Sequence, residues 1–65
     1  MANLSAELKH DFINNSLRLE VLSKLICEDL NKDITPQNQH INDLEDFLNV
    51  GINLLIEIKD QIHSN

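Results

Sequence analysis

Sixty-five residues make one small domain, near the lower limit at which a chain buries enough apolar surface to stand alone. Eleven acidic against five basic residues leave a formal net charge of -6, a balance that disfavours generic nucleic-acid binding. The single Cys27 excludes an internal disulfide and a thiolate metal cluster, and no apolar run approaches the roughly 18 residues of a membrane span.

In chain order, Met1-Ala2-Asn3-Leu4-Ser5 lacks the basic and apolar regions of a signal peptide, so the cytoplasm is the expected location. Asn3 or Ser5 suits the N-cap of a first helix, and Glu7 in its first turn suits the helix dipole. That helix is predicted over about residues 5–30, a stretch without Gly or Pro and rich in good helix formers. Residues 31–35 form the loop, with Thr35 as the expected N-cap and Pro36 as the first residue of a second helix running to about residue 62. The polar tail His63-Ser64-Asn65 ends the chain.

On the first helix, Leu8, Phe12, Asn15, Leu19, Leu22 and Ile26 share one side at the alternating spacing of a core seam. On the second, the expected seam is Ile41, Leu44, Leu48, Gly51, Leu55, Ile58 and Ile62, widened by Phe47 and Leu54 on one flank and Ile52 on the other. Two such helices joined by a short loop fold into an all-α antiparallel hairpin. With layers numbered to sum to about 67, Leu22 meets Leu44 and Phe12 meets Leu55, while Asn15 falls near Gly51, the only glycine. One hairpin leaves both flanks of such wide stripes open, and a second copy completing a dimeric four-helix bundle is the expected solution.

His10 falls nearly opposite the first seam, beside the apolar residues Ile13 and Leu17, at about 100° of rotation per residue. An exposed imidazole is nucleophilic near neutral pH and can carry a phosphoryl group on a ring nitrogen. Asp11 next to it could hold the other ring nitrogen's proton or act as a base, and Asn14, one turn on, could orient a water or a phosphoryl oxygen.

His10-Asp11-Phe12-Ile13-Asn14 resembles the H box of the dimerisation and histidine phosphotransfer domain of bacterial sensor histidine kinases. In that box a histidine is followed by an acid and an apolar residue, with Asn or Thr at the fourth position after it. The segment is also similar to stand-alone histidine phosphotransferases built on the same dimeric bundle, and the hairpin covers nearly the whole chain. Ile13 and Asn15 stand where many kinases carry Arg and Pro, and the chain has no glycine-rich nucleotide loop, so self-phosphorylation from ATP is not expected.

The resemblance implies a bacterial phosphorelay intermediate in the cytoplasm. It would exchange a phosphoryl group between His10 and a response-regulator aspartate, bind no cofactor itself, and meet Mg²⁺ only on the receiver partner. Ile13, Leu17 and Val21 form an outward apolar strip that is expected to dock the receiver or a histidine kinase. The competing reading of that strip is burial by the second protomer.

His40 and His63 are read as solvated, Asp43, Glu45 and Asp46 as a solvated acidic face, and Cys27 as a tolerated small residue. One alternative is a non-catalytic hairpin that binds and inhibits a kinase or receiver. Another is a small RNA-binding hairpin dimer, which would need a basic and aromatic stripe. The five cations Lys9, Arg18, Lys24, Lys32 and Lys59 are dispersed instead.

Overall fold

The computed structural model describes residues 4–64 of the chain. Two helices of 26 residues each, α1 (Ala6–Asn31) and α2 (Asn38–His63), pack side by side in a rod of 49 × 15 × 14 Å. Their direction is antiparallel: the Ser5 N–H at the start of α1 donates to Gln61 Oε1 near the end of α2, at 3.2 Å. The expected all-α hairpin is therefore present.

Capping explains where α1 begins and ends. Ser5 is the N-cap, with its hydroxyl accepting from the Leu8 N–H at 3.1 Å, which satisfies one donor that the first turn would leave open. The other candidate cap, Asn3, lies outside the described residues. At the far end Asp33 adopts φ 58°, the Asp33 N–H donates to Leu30 O and the Ile34 N–H donates to Asp29 O. This is the Schellman pattern, with aspartate in the left-handed position that glycine usually takes.

The second helix starts two residues later than the sequence suggests. Thr35 and Pro36 belong to the non-helical connection, and Gln37 stands at the N-cap without a side-chain capping bond. The physical reason is span: packed helix axes sit about 8–10 Å apart, and residues beyond the Asp33 turn must cross that gap before the chain can coil again.

The α1 seam stands as expected, with Leu8 and Asn15 buried and Phe12, Leu19, Leu22 and Ile26 half-buried. The α2 seam requires a correction. Of the expected set, Gly51 is buried and Leu44 and Ile58 are half-buried, but Ile41, Leu48, Leu55 and Ile62 are exposed. Their places facing α1 are taken by His40, Phe47, Leu54 and Gln61, all half-buried. Two alternating lines run through Leu44, Gly51 and Ile58, and α2 turns the second one toward α1, a rotation of roughly 60° from the expected line.

The choice is made at the centre of the hairpin. Asn15 Nδ2 donates to Phe47 O at 3.0 Å, and a Cβ on Gly51 would stand 3.0 Å from the same Nδ2. That bond brings the backbone of residues 47 and 51 against α1, so Phe47 lies in the contact line and Leu48, about 100° further round, does not. Asn15 opposite Gly51 agrees with the expected pairing of layers.

Candidate functional site

His10 lies one turn into α1, past the Ser5 cap and Glu7, on helix well defined by its capping. Its side chain is exposed, on the face turned away from the buried pair Leu8 and Asn15. Asn14 is also exposed and follows at i+4, so the two side chains share a face one turn apart. No hydrogen bond or ion pair among the described residues engages His10, Asp11 or Asn14, so all three are open to a partner.

Asp11 is exposed but points elsewhere. It sits about 100° around the helix from His10 and lines two clefts between the helices, one with Ser5, Glu57 and Gln61 and one with Asn14, Arg18 and Phe47. Its carboxylate thus borders the inter-helix groove and does not hold the imidazole. The structure brings His10 and Asn14 to one face and sets Asp11 at its edge.

Ile13, Leu17 and Val21 are exposed at 56%, 55% and 58%, an unpartnered apolar strip running away from His10 along α1. Leu17 and Val21 also border an open groove of about 300 Å³ that includes Arg18, Leu22, Asp43 and Phe47. Arg18 extends over the Phe47 ring, with its Cζ 5.7 Å from the centroid, an attraction of about 0.5–1 kcal/mol at an exposed site. This contact couples the strip's edge to α2.

Three residues differ from their expected surroundings or gain a role. Asp43 is half-buried at that groove, while Glu45 and Asp46 are exposed as expected. His40 is half-buried, and its Nδ1 is buried with no hydrogen-bond partner among the described residues. Arg18, in sequence one of five dispersed cations, packs over the Phe47 ring. The available signal was the second alternating line through Leu44, Gly51 and Ile58, which includes His40 and Phe47 and places Arg18 opposite an aromatic ring.

Cys27 is free and exposed, as is His63. Among the described residues no group of three or more His, Cys, Asp or Glu could hold a metal ion, and no helix is long and apolar enough to cross a membrane. In comparisons with known proteins, the chain matches no family model, no curated protein and no solved structure.

Proposed function

We propose that this chain is a histidine phosphotransfer protein, carrying a phosphoryl group on His10 to or from a response-regulator aspartate in a bacterial two-component phosphorelay. The observation that carries this reading is the exposed His10, with Asn14 one turn on and the bare strip Ile13, Leu17 and Val21 beside it. A phospho-accepting side chain must be reachable by a partner's active site, and an apolar strip next to it gives that partner a place to dock.

The chemistry needs little from this chain. A lone pair on a ring nitrogen of His10 attacks the phosphorus of an aspartyl phosphate and an N–P bond forms. The P–O bond to the aspartate breaks, and its electron pair leaves with the carboxylate. The proton on the other ring nitrogen stays in place or passes to water. On this reading Asn14 donates to a phosphoryl oxygen. The divalent ion and the rest of the catalytic apparatus belong to the receiver.

The test is phosphorylation of the purified chain by a small phosphoramidate donor, read by intact mass, with His10→Gln, His40→Gln and His63→Gln in parallel. One acid-labile adduct, lost only in His10→Gln, is expected. No adduct, or one distributed over the three histidines, overturns the proposal.

A second reading has one observation in its favour: no side chain among the described residues holds the imidazole in a fixed orientation. On this reading the hairpin docks a kinase or receiver and blocks it without carrying phosphate. His10→Gln then leaves binding and inhibition intact, whereas Leu17→Glu removes both.

A further inference from the structure

A helix that packs against one neighbour needs one seam; a helix inside a four-helix bundle touches two neighbours and needs two overlapping seams. Helix α2 has two. The line through Phe47, Gly51 and Leu54 faces α1, whereas the Ile/Leu line at seven-residue intervals, Ile41, Leu48, Leu55 and Ile62, is 44–50% exposed. The unused seam is the more apolar one, since the seam turned to α1 ends in His40 and Gln61.

The free seam also has a counterpart on α1. Phe12, Ser16 and Leu19 from α1 and Leu48, Ile52 and Leu55 from α2 border a single groove of about 160 Å³. No charged residue borders it. The grooves on the opposite flank include Asp11, Arg18 and Asp43. Two chains that each have a formal charge of -6 could approach each other on the uncharged flank with least repulsion.

Area points to the same occupant. The chain exposes 5199 Å² at a mass of 7.5 kDa, where a folded monomer of that mass exposes about 4,250 Å². The surplus of about 950 Å² is close to the roughly 800 Å² that each partner contributes to a standard interface. The interior is correspondingly thin, with Leu8 the one buried apolar side chain among the described residues.

We infer that a second copy of this chain seats on the groove bordered by Phe12, Ser16, Leu19, Leu48, Ile52 and Leu55, forming a two-fold four-helix bundle. His10 lies far around α1 from that groove, and Leu17 and Val21 border the opposite flank, so these three side chains stay free in the dimer. The inference does not depend on phosphotransfer, and its test makes no use of His10.

Sedimentation equilibrium of the full chain, from low to high micromolar, reads the association, with far-ultraviolet circular dichroism recorded on each sample. The expected species is about 15 kDa, twice the 7.5 kDa of one chain. Ile52→Glu places a charge in the interface and is expected to weaken association by tenfold or more on an order-of-magnitude basis. Val50→Glu, on the opposite flank with Asp11 and Arg18, leaves association unchanged. If Ile52→Glu loses helix, the milder pair Ile52→Ser and Val50→Ser reads the same two faces. A native chain that stays monomeric and helical throughout overturns the inference. So does a pair in which the Val50 variant weakens association as much as the Ile52 variant.

Discussion

At the scale of single residues, the hairpin turns on Asn15 and Gly51. The amide of Asn15 is buried and donates to Phe47 O, and a methyl group at residue 51 would press on that amide from 3.0 Å. Asn15→Ala is therefore expected to lower stability by about 1 kcal/mol, the net worth of one hydrogen bond. Gly51→Ala alone gains about 1 kcal/mol of helix propensity but displaces the amide, so the two effects are expected nearly to cancel. In the Asn15→Ala background the propensity gain should appear in full, because the obstructing amide is gone. Urea midpoints for the four chains of this cycle measure the coupling, and additive changes would show that the two residues do not interact. His10 lies outside this cycle: no contact among the described residues depends on it, so the His10→Gln chain should melt with the native one while losing the phosphoryl adduct.

At the scale of elements, the turn between the helices contains the unusual backbone. Asp33 has φ 58°, where a side chain crowds its own carbonyl and glycine does not. Asp33→Gly relieves that crowding and completes the Schellman cap, with an expected gain of up to about 1 kcal/mol by thermal or urea unfolding. A loss would mean that the carboxylate makes a compensating contact. The helix interiors depend little on surface charge: Lys24 and Glu20 pair at 3.2 Å, but both are largely exposed, and such pairs contribute only a few tenths of a kcal/mol. Packing, rather than intrahelical pairing, decides whether helices of this length persist in water.

At the scale of the whole molecule, packing is thin. No side chain among the described residues is completely buried, and thirteen large apolar residues from Ile13 to Ile62 are exposed in one hairpin. If a second copy covers the free α2 seam, folding and association are linked, and the thermal midpoint should rise with protein concentration. A midpoint independent of concentration would show that the single hairpin carries its own stability. Either result can be read on the native chain without any substitution.

The sequence by itself determined the two helices, their antiparallel return and the outward position of His10. These follow from helix formers without Gly or Pro over the first stretch, from apolar spacing, and from a loop too short for any other arrangement. The pairing of Asn15 with Gly51 was legible because one polar residue in an apolar seam and one glycine fall at matching layers. Tertiary structure alone decided which side of α2 faces α1. Two alternating lines share Leu44, Gly51 and Ile58, and helical periodicity admits both; apolar content favours Ile41, Leu48, Leu55 and Ile62. The Asn15 bond to Phe47 O selects the other line, since a hydrogen bond has a fixed direction and apolar contact does not. The same rotation half-buried His40 and left the better apolar seam facing outward.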